Sequence, residues 1–281
     1  MEYSKQGIAA LAQSLGGFQT DFLEKSLRLL DVLREVSRHG DLKERLVLKG
    51  GTAINFMQKD LPRLSVDIDF NCLAPGTREE IEPIRKETLA VIEHVASAMK
   101  YQVRQVVDEP AAVVYNLHYT NIHNRRDHIQ ADINFLNRVS FFRTGAVMLR
   151  PFHQQAGVRA LALSIEELYA GKIKALLERA AARDLYDTYR LVQGVAKLDE
   201  KILRQGLLAF GLASTGDFRT YTAERLDLVK EKSILTELYP TLRKQERPKL
   251  AEMTKAVKPL LKRLTRLSAA EKTFFDRFYV G

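Results

Sequence analysis

Between Asp21 and Gly40, apolar side chains fall at Phe22, Leu23, Leu27, Leu30, Val32, Leu33 and Val36. Steps of three and four residues put them on one stripe, which predicts an amphipathic helix closed by Gly40. A short apolar run, Leu46 to Leu48, then predicts a strand. Gly50-Gly51 leads from it into a short helix over Thr52 to Met57, which Leu61-Pro62 breaks. Val66, Ile68 and Phe70 alternate with Ser65, Asp67 and Asp69, the period-2 pattern of a half-buried strand. A long helix is predicted from about Thr77 to Lys100, followed by strands over Tyr101–Val107, Val113–Tyr119 and His128–Phe135. Beyond Leu163 the pattern is almost continuously helical, with capping boxes at Ser164/Glu167 and Ser268/Glu271. The elements add up to an α+β fold, a mixed sheet flanked by helices over residues 1–155, and an all-helical domain over 156–281.

Composition sharpens this picture. The 281 residues are 46% hydrophobic, which supplies a sizeable core and argues against disorder. Cys72 is the only cysteine, so no intrachain disulfide forms, and a small core residue is the expected role. No apolar leader opens the chain and no stretch nears the roughly 18 apolar residues of a membrane span, so a cytoplasmic protein with no membrane partner is expected. The net charge is +9, and residues 241–281 hold eleven Lys and Arg against four Asp and Glu. With Phe274, Phe275, Phe278 and Tyr279 among them, these cations suit a phosphate backbone; solvated outer faces of amphipathic helices account for them equally well.

The candidate chemistry lies on the strands. Residues i and i+2 of a strand point to the same side, so Asp67 and Asp69 project together. Two such charges about 4 Å apart repel by roughly 4 kcal/mol at an effective dielectric near 20. A divalent cation removes that cost, and oxygen-only ligation suits Mg²⁺. In His128–Phe135, Asp132 faces polar space as well, so neighbouring strands would bring three carboxylates around one or two ions. Gly50 and Gly51 open a helix whose N–H groups a phosphate can approach, and Thr52 adds a hydroxyl. His128, at the start of the Asp132 strand, reads as structural or as lying at the substrate's edge.

In the helical half, Lys172 projects onto the apolar face with Ile165, Leu168 and Leu176, and Arg179 and Arg183 join it if the helix is continuous. A lysine there needs a partner. A triphosphate would serve, and snorkelling at the rim of the core gives the same pattern.

LKGGTAIN followed by LPRLSVDIDF closely resembles the signature of the AbiEii/AbiGii-type, or MenT-like, nucleotidyltransferase toxins, a branch of the DNA polymerase β-like superfamily. The family carries Lys-Gly-Gly-Thr-Ala, then Pro-Arg-x-Ser-x-Asp-x-Asp, and in the helical half Lys-x-x-Ala-Leu-x-x-Arg with Arg-Asp-x-x-Asp. The resemblance extends to about Leu191. It implies a polymerase β-like sheet, with Asp67, Asp69 and Asp132 holding Mg²⁺ and Gly50, Gly51 and Thr52 cradling a nucleoside triphosphate. Arg63 and Lys172 would be counter-charges, and Lys172 and Asp184 match the family's essential lysine and aspartate. Asp187 is a weaker match that Arg183 could simply pair. Ser65 lies in the motif and is phosphorylated in some relatives, switching the enzyme off; a phosphate there would add about −1.5 to −2 charges. The implied activity is that of a toxin with a cognate antitoxin, transferring nucleotides to RNA at the tRNA 3′ end. A small-molecule or protein acceptor, or a non-catalytic nucleic-acid or antitoxin-binding module, are the alternatives.

Overall fold

The computed structural model describes residues 3–58, 60–152, 156–194, 196–214 and 216–280. The chain divides into two compact units, Met1–Ser164 with Thr241–Gln245, and Ile165–Pro240 with Glu246–Gly281.

The first unit is built on β1 (Leu46–Lys49), β2 (Asp67–Cys72), β3 (Gln102–Glu109), β4 (Ala112–Thr120), β5 (Arg126–Asn134), β6 (Gly145–Leu149) and β7 (Val158–Ala162). They form one mixed sheet in the order β3-β4-β5-β2-β1-β7-β6. β2 pairs parallel with β5 and β1 parallel with β7; the remaining pairings are antiparallel. β6 and β7 are strands that the sequence pattern did not predict. Each is five residues long, and in β6 only Leu149 is buried, so no alternation marks it.

Alternation does mark the central strands. Ile68 and Phe70 of β2, Val113, Tyr115 and Leu117 of β4, and Ile129, Ala131 and Ile133 of β5 are buried on one face. Against that face pack α2 (Thr20–Arg38) and α5 (Arg78–Ala98). α2 ends at Arg38, short of the predicted Gly40 cap, because His39 leaves helical geometry. A buried carboxylate on α2 ties it to the turn after β4: Glu24 takes the Ile122 N–H at 2.8 Å and the Arg28 guanidinium. α1 (Lys5–Ser14), α3 (Leu42–Arg45) and α4 (Gly50–Met57) complete the unit, and α4 packs against β2, β1 and β6.

The second unit contains α6 (Ile165–Arg179), α7 (Ala182–Val192), α8 (Glu200–Leu212), α9 (Glu231–Ser233), α10 (Leu250–Thr265) and α11 (Ala269–Val280), with short 3₁₀ and π turns between α8 and α10. Met253, Val257, Leu261 and Leu264 give α10 its buried stripe. The Ser268/Glu271 capping box is present, with both reciprocal hydrogen bonds, at the start of α11.

Candidate active site

β1 ends at Lys49, and the chain turns into α4 through Gly50, whose φ is +70°. A side-chain-bearing residue there would cost about 1–2 kcal/mol in backbone sterics alone. Space forbids one as well: a Cβ on Gly50 would collide with the Asp69 carboxylate, and a Cβ on Gly51 with the Arg63 guanidinium. The glycine pair is thus the shape that lets two charged side chains lie against a backbone turn.

Register places the acidic groups. In the antiparallel β1–β2 pair Lys49 faces Asp69, and in the parallel β2–β5 pair Asp69 faces Asp132. Lys49, Asp69 and Asp132 therefore form a row across three adjacent strands on one face, at about 5 Å per strand. Asp67 lies two residues before Asp69 on the same face, and all four side chains are half-buried. Burial pushes the Asp132 carboxyl above its ordinary range, and the Lys49 ammonium pulls it part of the way back. Such a carboxyl gains from a nearby cation.

Thr52, Ser65 and Arg63 do not face the open side of this row. Thr52 is 0%, Arg63 2% and Ser65 3% exposed. The Thr52 hydroxyl donates to the Asp67 carbonyl at 2.5 Å and lies 2.6 Å from the Ser65 hydroxyl. Each hydroxyl has one proton, so Ser65 donates to Thr52 and Thr52 to Asp67, a relay that holds the start of β2 against α4. Ser26 of α2 fastens the Ser65 carbonyl at 2.5 Å. Arg63 donates to the Leu64 carbonyl at 3.0 Å beneath Gly51. The motif assigns Thr52 and Arg63 to a bound triphosphate; in this structure both side chains are buried, Thr52 within the hydroxyl pair and Arg63 beneath Gly51. Gly51 is buried too, which leaves Gly50 as the half-exposed member of the turn.

A divalent ion fits the donor set. Among the described residues no three His, Cys, Asp or Glu groups converge as a ready-made cage, whereas Mg²⁺ takes one or two protein carboxylates and draws its remaining ligands from water and substrate phosphates. Paired oxygens, one of them destabilised by burial, meet that demand.

Lys172, Asp184 and Asp187 lie together in the second unit. The Lys172 ammonium is 2.8 Å from Asp184 and 3.3 Å from Asp187, with the two carboxylates 0% and 1% exposed. Arg179 adds a contact to Asp184 at 2.8 Å. Burial alone would raise the Asp184 carboxyl, but Lys172 and Arg179 hold it down at about 2. The charge that seemed to need a triphosphate is already neutralised by α7, and Asp187 pairs with Lys172.

Residues 31–270 match the family model described as "Nucleotidyl transferase AbiEii toxin, Type IV TA system". The chain belongs to the AbiEii nucleotidyltransferase toxin family. It is accordingly a nucleotidyltransferase that draws on a nucleoside triphosphate, and a type IV toxin whose system includes an antitoxin. Solved structures share the fold, two of them as follows. MenT4, a nucleotidyltransferase toxin from Mycobacterium tuberculosis, is 16% identical with a TM-score of 0.64, over 98% of this chain and 94% of that one. JHP933 from Helicobacter pylori is 15% identical with a TM-score of 0.55, over 94% and 99%. Comparison with curated proteins gives no match. Among the described residues no helix is long and apolar enough to cross a membrane.

For an AbiEii-family site, Lys49 is the residue that sequence reasoning passed over. It stands immediately before the glycine pair in the quoted motif. Its signal is positional: the last residue of a strand alternating with buried Leu48 points where the carboxylates point.

Proposed function

We propose that this toxin transfers a nucleotidyl group from a nucleoside triphosphate to a hydroxyl of RNA, at the 3′ end of tRNA, and so blocks translation. The observation that carries the reading is the in-register row Lys49–Asp69–Asp132 beside Asp67, against the Gly50 turn. Asp67, Asp69 and Asp132 are the residues that would hold one or two Mg²⁺ ions. Bound there, the ion supplies positive charge for the triphosphate and for the developing alkoxide.

The remaining steps belong to the chain. The Gly50 turn and the first N–H groups of α4 receive the phosphates, where the helix dipole favours negative charge. Lys49 adds a fixed positive charge at the edge of the row. The acceptor oxygen bonds to the α-phosphorus, the bond from that phosphorus to the bridging oxygen breaks, and pyrophosphate leaves. The acceptor's proton passes to an oxygen of Asp132, which lies in register beside Asp69 at the reacting centre. On the helical unit, exposed Lys255, Lys262, Arg266, Lys272 and Arg277 of α10 and its surroundings supply an RNA-attracting surface.

The test is to incubate the purified chain with total tRNA, Mg²⁺ and each labelled triphosphate in turn, beside an Asp69→Asn variant. Label entering tRNA with the native chain and not with the variant is the expected result. Label found in protein or a small molecule, with none in RNA, overturns the acceptor assignment.

A further inference from the structure

The face that carries Asp132 does not end at the carboxylates. Along β5 the same side presents Gln130, His128 and Arg126, each two residues from the last, while Ile129, Ala131 and Ile133 point into the core. Register extends the face sideways: Asn116 of β4 lies beside Gln130, His118 beside His128, and Arg104 of β3 beside Asn116. The Arg126 guanidinium reaches to Gln102 of β3 at 3.0 Å. The result is a continuous polar strip, cationic at Arg104 and Arg126, running from the reacting centre to the far end of β5.

The polar groups of this strip are poorly satisfied within the chain. Among the described residues, Oδ1 of Asn116 is buried with no hydrogen-bond partner, and the His118 ring has at most the Asp127 backbone to bond to. An unpaired buried group of this kind costs about 1–3 kcal/mol, which a polar partner, water or ligand, relieves. The His118 and His128 rings stand 5.4 Å apart. Burial, with Arg126, His128 and Arg104 nearby, keeps His118 below its ordinary range, hence neutral, with one donor and one acceptor nitrogen.

Length identifies the class of occupant. From Asp132 to His128 is about 13 Å and to Arg126 about 20 Å, at roughly 3.3 Å per strand residue. A single nucleotide does not span that, whereas a chain at about 3.4 Å per stacked nucleotide does. We propose that the outward face of β3–β4–β5 is the cradle for the single-stranded 3′ end of the acceptor RNA, its terminal hydroxyl at Asp132 and its upstream phosphates over Arg126 and Arg104. His118, Asn116 and Gln130 contact the bases between. This placement rests on the RNA-acceptor reading above.

The experiment compares steady-state constants for tRNA and for the triphosphate in the native chain and in Arg104→Glu/Arg126→Glu. Lys86→Glu, half that charge change at an exposed position of α5, is the control. The double variant is expected to raise the acceptor KM by about tenfold and to lower the salt slope of acceptor binding by about 2, leaving the triphosphate KM as it was. His118→Ala/His128→Ala, which alters no arginine, should give the same split. Circular dichroism establishes that each variant is folded; if the arginine pair fails to fold, the histidine pair decides. An unchanged acceptor KM, a rise in the triphosphate KM, or an equal effect from Lys86→Glu overturns the placement while the RNA reading stands. Absence of RNA labelling by the native chain overturns both.

Discussion

Asp132→Asn removes one negative charge from the row and should make the ligand-free protein more stable. Asp69 and Asp132 face each other at about 5 Å, where like charges repel by about 3 kcal/mol at an effective dielectric of 20. Lys49 stands two strands from Asp132, about 10 Å away, so its attraction is about half as large. The sum is repulsive, and screening at half-exposed side chains reduces it to about 1 kcal/mol. For a chain of this size that raises the melting midpoint by about 2–4 °C. Because the folded-state Asp132 carboxyl titrates above its unfolded value, the native chain binds the extra proton and loses stability as pH rises from about 4 through the raised value. The advantage of the variant is therefore present at pH 7 and closes near pH 4. Mg²⁺ reverses the comparison: at about 100 times its dissociation constant it adds about 2.7 kcal/mol to the native chain, and much less to the variant. Thermal melts at both pH values, with and without Mg²⁺, read all of this. A ligand-free variant less stable than the native chain at pH 7, or an equal Mg²⁺ shift in both, refutes the charge argument.

Gly50→Ala should abolish nucleotidyl transfer while the helical unit stays folded, because the added methyl displaces the Asp69 carboxylate and the turn has φ +70°; activity and circular dichroism on one preparation check it. Thr52→Val breaks the hydroxyl relay and should cost about 1–3 kcal/mol in urea denaturation with the triphosphate KM unmoved. A risen KM at unchanged stability would return Thr52 to the phosphate. Asp184, held near 2, contributes about 2 kcal/mol that is fully present above about pH 4 and is lost as pH falls towards 2. Asp184→Asn should flatten that stretch of the acid denaturation curve.

The central strands were readable because their burial alternates, and Asp67, Asp69 and Asp132 were readable as facing away from the core. Which strands adjoin was not, since the order β5-β2-β1 arises from crossovers that no local period encodes. Lys49 became part of the row only through that order. Thr52, Ser65 and Arg63 carry the side chains of phosphate ligands, and their burial depends on how α4 folds back over β2. In the helical half, projecting Lys172, Arg179 and Arg183 onto one rod assumed an unbroken helix. The chain breaks at Ala180, with φ +50°, and restarts at Ala182, which brings Asp184 and Asp187 round to Lys172.

The hidden hydroxyl of Ser65 bears on how such a toxin could be silenced. The residue is 3% exposed, hydrogen-bonded to Thr52 and tethered through its own carbonyl to Ser26. An ester at the hydroxyl oxygen would remove the proton Ser65 gives to Thr52 and so weaken the anchor that sets where Asp67 begins β2.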